Sequence, residues 1–316
     1  MKKYTSIGMF ILGTSFVFLI SCAAPPSTSA PSIASMPSVQ SPSIQENLGE
    51  QVARHLNERY KDTRANCGSP SQPSFLCNGI LLRGTGRGDF PVWNNSQNSK
   101  NRGSVSFSYL RKDDNFQRLA YGYSSGFIFQ SYNHVPAKLH PEVLCSFPID
   151  GWTNERATSG CGAYSGRPSS GPCHLSGVVT AAQWWTHYSA AIGNKNTGQC
   201  GFDVRDSRNA LAGPAFAASV QARTYFKGSA AAAEHNEVAI KVWADNLGRT
   251  LPLEAFFYIY GSDGRANAQT QQRKLKAADG LLIPIISIRL ARSDSDTATF
   301  YFLPADQTEP MPPARF

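Results

Sequence analysis

Seven cysteines are present, yet no two are spaced as Cys-x-x-Cys. The thiolate pairs that build structural zinc centres are therefore missing, and no metal site is expected. A membrane-crossing run is missing as well, because the apolar-biased stretch over residues 7–20 holds fourteen residues, short of the roughly twenty a bilayer requires. Acidic residues are the scarcer charge, 22 Asp and Glu against 30 Lys and Arg, for a formal net charge of +8. The basic residues are scattered rather than clustered, which argues against a nucleic-acid partner and suits an anionic ligand or an anionic cell surface. Residues 23–43 carry no charged side chain at all, and neither a second linker nor an internal repeat follows.

What remains is ordered from the N-terminus. Lys2 and Lys3, the short apolar stretch, then Leu19-Ile20-Ser21-Cys22 follow the pattern of an exported precursor. The expectation is a signal peptide over residues 1–21 whose small residues before Cys22 form a lipobox, so that Cys22 becomes a lipidated N-terminus holding the chain to a membrane. Residues 22–44, mostly Pro, Ser and Ala, cannot bury enough apolar area to order themselves and read as a tether. From Gln45 onward about 270 residues remain, enough for a single domain over 45–316 with a substantial core. The other six cysteines, Cys67, Cys77, Cys145, Cys161, Cys173 and Cys200, are an even set, as three disulfides in an oxidising compartment would need. Fifteen pairings are open, and the short loop with two prolines between Cys67 and Cys77 favours that pair.

Leu48, Val52, Leu56 and Tyr60 recur every four residues, predicting an amphipathic helix over 46–60 with Ser43 as a cap. Short β-branched or aromatic runs predict strands over 78–83, 104–110, 126–131 and 143–147. A Gly/Ser/Pro-rich loop spans 150–177. Thr180 caps a helix over 181–191, and Pro214 falls in the first turn of another running to about residue 226. The last third predicts strands over 237–243, 253–260, 281–290 and 298–303, with a helix over 267–277. Residues 230–233 are most simply a helical segment. Such mixing of helices with hairpin-like strands is α+β.

Three segments carry chemistry. Arg83 closes the apolar run Ile80-Leu81-Leu82, and a cation that never deprotonates needs an anionic partner if its strand is buried. Gly84, Gly86 and Gly88 behind it would let backbone approach a phosphate. Alternation from Ser104 to Tyr109 puts Ser104, Ser106 and Ser108 on one face and Val105, Phe107 and Tyr109 on the other. Far downstream Glu237 heads the apolar segment Val238-Ala239-Ile240. In that order, an arginine on a strand, a Ser-x-Ser strand and a late glutamate, the chain resembles the NAD-dependent mono-ADP-ribosyltransferases and, within them, the halovibrins, secreted bacterial proteins described as ADP-ribosyltransferases. The likeness extends through the segments 77–85, 104–111, 145–150, 200–203, 236–243 and 255–260.

This resemblance implies a split, two-sheet NAD-binding core and an exported transferase that breaks the nicotinamide–ribose bond of NAD and passes ADP-ribose to a protein acceptor. On it Arg83, with Gly84 and Thr85, holds the pyrophosphate and nearby ribose. Ser104 and Ser106 fix the active-site strand, and Glu237 stabilises the positive charge developing on the sugar. Glu234 and Glu254 are rival carboxylates. Where arginine-modifying transferases carry a second Glu or Gln, this chain has His235, which leaves the acceptor open and hydrolysis by water available. Two readings from other classes compete. One is a surface-attached binding module that keeps the fold without catalysis. The other is a serine esterase built on Gly122-Tyr123-Ser124-Ser125-Gly126, with Asp203 or Asp206 and His235 as partners of Ser124. Arg87-Gly88-Asp89 spells an adhesion tripeptide of a kind that arises by chance.

Overall fold

A computed structural model of the chain describes residues 42–88, 90–151, 160–162, 171–193, 199–205, 210–304 and 307. The expected signal peptide, the lipidation site Cys22, most of the tether, Asp89 and Asp206 lie outside the described residues. Among the described residues no helix is long and apolar enough to cross a membrane.

The first helix, α1 (Pro42–Lys61), starts four residues earlier than the apolar period implies. Proline's fixed φ suits a helical first turn, so Ser43 sits inside the helix rather than capping it, and residues 42–44 belong to α1 rather than to the tether. Its buried stripe is Ala53, Leu56 and Tyr60, whereas Leu48 is exposed. Strands β1 (Ile80–Thr85), β2 (Ser104–Leu110), β3 (Ser125–Phe129) and β4 (Val143–Phe147) follow, interrupted by the short helix α2 (Gln97–Arg102). Then come α3 (Ala181–Gly193), β5 (Phe202–Asp203), α4 (Ala212–Arg223), β6 (Glu237–Lys241), β7 (Leu253–Ile259), α5 (Gly264–Asp279), β8 (Ile285–Arg289) and β9 (Thr299–Phe302). Thr180 caps α3 as expected: its Oγ1 accepts from the Gln183 N–H at 3.2 Å while Gln183 Oε1 accepts from the Thr180 N–H at 3.0 Å, a reciprocal capping box. Residues Ala230–Ala233 form the expected helical segment, a short 3-10 helix.

The nine strands make one sheet in the order β5-β4-β6-β2-β1-β3-β7-β8-β9. Every pairing is antiparallel except β7 with β8, whose parallel run is made through the crossover helix α5. Period-2 alternation fills both faces. Ile80 and Leu82 of β1 join Leu56 and Tyr60 of α1, Ile128, Phe257 and Phe300 on one face. Leu81 joins Phe107, Phe127, Phe256 and the α5 residues Ala268 and Leu275 on the other. Each fully buried aliphatic or phenyl side chain contributes roughly 1.5–3 kcal/mol, so the two apolar layers fix the register of the central strands. A third cluster, with Trp184, Phe202 and Phe226, packs α3 and α4 around a disulfide.

The cysteines pair as Cys67–Cys77, Cys145–Cys161 and Cys173–Cys200. The fold is thus α+β with a nine-stranded sheet and three disulfides.

One feature of the strand pairing opens the sheet. The first half of β2, Ser104 to Phe107, pairs with β6, while its last three residues, Ser108 to Leu110, pair with Leu82 to Ile80 of β1. From Arg83 onward β1 holds only to β3, through Phe127, Gly126 and Ser125. The sheet therefore parts between Arg83–Thr85 on one lip and Ser104–Phe107 on the other. On the opposite edge of β2, where β6 pulls away, the Asn236 side chain stands in for a strand: it accepts from the Tyr109 N–H at 2.7 Å and donates to the Tyr109 carbonyl at 2.6 Å.

Candidate functional site

Into that parting opens a cavity of about 590 Å³, lined among others by Arg83, Gly84, Ser104, Ser106, Ser108, His235 and Glu237. Small-molecule sites typically occupy roughly 300–1,000 Å³. Four of the residues singled out in the sequence, Arg83 and Gly84 from β1, Ser104 and Ser106 from β2, thus meet Glu237 from β6 in one cleft. Thr85 does not join them; it is buried, and its hydroxyl has no hydrogen-bond partner among the described residues.

Glu237 is buried. Its Oε1 accepts from the Ser106 hydroxyl at 2.6 Å and its Oε2 from the Gly151 N–H at 2.8 Å. Charge-assisted bonds of this kind hold a carboxylate in one orientation. Because side chains alternate along an extended segment, Asn236 turns to β2 while its neighbours His235 and Glu237 both reach the cleft. The rival carboxylates lie elsewhere. Glu254 is bonded to Arg59 at 2.5 Å and His55 at 2.9 Å and faces a different cavity, and Glu234 is paired with Arg118.

Arg83 is half-buried, and its Nη1 is sealed from solvent without a hydrogen-bond partner among the described residues. Burial pulls its pKa from 12.5 down to about 10, with Tyr123 opposing the shift; at neutral pH it still carries its charge. Ser104 is buried with its hydroxyl likewise unpaired. Buried polar atoms are normally satisfied, so a guanidinium nitrogen and a hydroxyl without partners among the described residues leave this cleft with groups able to bond an anionic or polar ligand.

Several lining residues carry no signal in the apolar pattern. The helix α2 contributes Asn98, Ser99 and Arg102, and its cap Ser96 joins them; Ser96 accepts from the Ser99 N–H, and Gly103 ends the helix at φ 71°. That Ser…Gly bracket was the one available clue to it. Tyr121 and Tyr123 stand on the cleft with ring centroids 5.5 Å apart. Tyr121 is 82% exposed and held at φ 54°, a left-handed conformation uncommon for a bulky residue. Asp150 completes the wall, its Oδ2 lying 3.9 Å from His235 Nε2.

The serine-nucleophile pattern assembles differently. Ser124 leads directly into β3 rather than into a helix, so the strand-to-helix elbow is not formed. Its hydroxyl donates to Asp263 at 3.2 Å, and Asp203 is paired with Arg205. Arg87 of the adhesion tripeptide is ion-paired with Asp263. Among the described residues no group of three His, Cys, Asp or Glu side chains is arranged to hold a metal ion.

No protein-family model and no curated protein matches the chain.

Proposed function

We propose that the protein is an exported mono-ADP-ribosyltransferase of the halovibrin kind, with the parted sheet as its NAD-binding core and NAD as substrate. The observation that carries this reading is the meeting of Arg83, Ser106 and Glu237 in one cleft, with Ser106 bonded to Glu237. Breaking the nicotinamide–ribose bond leaves an oxocarbenium-like sugar. A fixed carboxylate beside it lowers the barrier because it meets charge that exists only as the bond opens. Arg83, with its unpaired Nη1, supplies the cation for the pyrophosphate, and the Tyr121 and Tyr123 rings offer faces against which a base can stack. Three disulfides are compatible with export, and a lipidated Cys22 would hold the protein at a membrane while it modifies a protein acceptor.

Incubating the full chain with NAD and following nicotinamide release tests the proposal. Release should be seen, and Glu237→Gln should reduce it by roughly 10²–10³-fold without changing the thermal melt, while Glu254→Gln should retain it. No release from the folded protein, or release indifferent to Glu237→Gln, overturns the assignment.

A further inference from the structure

The ladder between β4 and β6 ends at the pair Phe147 and Glu237. Because the two strands are antiparallel, the chain beyond Phe147 and the chain ahead of Glu237 leave that pair in the same direction. Each carries part of the cleft: Asp150, with Gly151 whose N–H supports Glu237, on one, and His235 on the other. Beyond the ladder a side chain joins them. Arg223, buried at the C-terminal end of α4, lies outside the cleft lining. Its Nη1 donates to the Pro148 carbonyl at 3.0 Å, and its Nη2 to the carbonyls of Ala232, at 2.9 Å, and Glu234. The Nε and Nη2 groups also donate to the Asn115 carbonyl, at 3.0 and 2.9 Å, in the segment after β2. Asp114, equally buried, is ion-paired with Nε at 3.2 Å and supplies the countercharge. One planar group thus bonds four carbonyls on three segments, which needs the rigid fork of donors that arginine has and lysine lacks.

We propose that Arg223 is a positioning residue for the cleft: by clamping Pro148 to Ala232 and Glu234 it fixes the distance across which the Gly151 N–H holds the Glu237 carboxylate. For its effect on the rate this rests on the NAD reading above. A carboxylate that must meet charge developing on one sugar carbon tolerates little displacement, a misplacement of about 1 Å costing roughly 10² in rate. NAD affinity depends instead on the other lip, where Arg83 is held by the pairing of β1 with β3, and none of the clamp's four carbonyls belongs to either strand. Loss of the clamp therefore acts on kcat rather than on binding.

The test compares the full-chain wild type with Arg223→Lys, which keeps the charge opposite Asp114 and loses the fork. With NAD as substrate, kcat for nicotinamide release should fall roughly 10²-fold while KM stays within about threefold. Without NAD, amide exchange at Gly151 followed by NMR should quicken at least about tenfold, while the amides shared by β1 and β3 keep their protection. If Arg223→Lys does not fold, Asp114→Asn, which keeps the shape and removes the countercharge, should show both effects at about threefold or more. Wild-type kcat and wild-type Gly151 exchange in the folded variant overturn this inference and spare the NAD reading. Exchange that quickens equally in β1 and β3 also overturns it, because the loosening is then general. No nicotinamide release from the wild type, with Gly151 exchange quickened in the variant, removes the NAD reading and leaves the clamp.

Discussion

Glu237 is buried and Arg83 half-buried, and their surroundings treat them oppositely. Glu237 has its two oxygens supported by Ser106 and Gly151, whereas Arg83 Nη1 has no partner among the described residues. A depressed pKa on a cation means that the folded state disfavours the charged form relative to the unfolded chain, so the charge on Arg83 costs stability. Arg83→Met should therefore raise the unfolding free energy by roughly 1–3 kcal/mol while weakening NAD binding at least about tenfold. Thermal melts and calorimetry read the two effects separately. A variant that is both less stable and unimpaired in binding would show that Arg83 has a structural partner instead of a ligand.

At the level of strands and helices, the geometry of the cleft depends on how closely β1 and β3 approach. Gly84 pairs with Gly126, and a Cβ on Gly126 would fall 1.8 Å from the Arg83 carbonyl oxygen, which is backbone and cannot swing aside. Gly126→Ala should cost about 1–3 kcal/mol and, by shifting the strand that carries Arg83, lower NAD affinity as well. Stability and binding thus fall together here, the reverse of Arg83→Met; a melt unchanged from wild type would contradict the close approach. Strands with clear alternation, such as β2, are legible in sequence because their two faces meet different surroundings, and Thr180 with Gln183 announces α3. The register of β1 is shifted two residues from its predicted span because Gly84 and Thr85 weaken the apolar signal while β3 still pairs with them. The helix α2 was legible only through its Ser96 and Gly103 caps: Gln97-Asn98-Ser99-Lys100-Asn101-Arg102 mixes good helix formers with Asn and Ser and has no apolar stripe, too short a segment to hold a helix without packing beside β2. Arg83, Ser106 and Glu237 could be named from their order along the chain. Arg102, Tyr121 and Asp150 could not, because their place in the cleft follows from long-range pairing. The parting of the sheet is the extreme case, since which strand β2 pairs with along its length is not written in β2.

For the molecule as a whole, the three disulfides differ in what they enclose. Cys67 and Cys77 are half-buried and close a separation of 10 residues, whereas Cys145–Cys161 and Cys173–Cys200 are buried and close separations of 16 and 27. Loop-closure entropy makes the larger two worth roughly 3–4 kcal/mol each. Graded reduction, followed by thiol labelling and mass spectrometry, should open Cys67–Cys77 first with nicotinamide release retained, and release should end when Cys145–Cys161 opens. Release that persists after all three have opened would contradict this order.

Asp150 and the Gly151 N–H that supports Glu237 lie within the span closed by Cys145–Cys161. On the proposed function, chemistry that consumes NAD would endanger the producing cell, whose cytosol keeps thiols reduced. A freshly synthesised chain, its support for Glu237 not yet cross-linked, would then be harmless to its maker and become armed only once its thiols are oxidised.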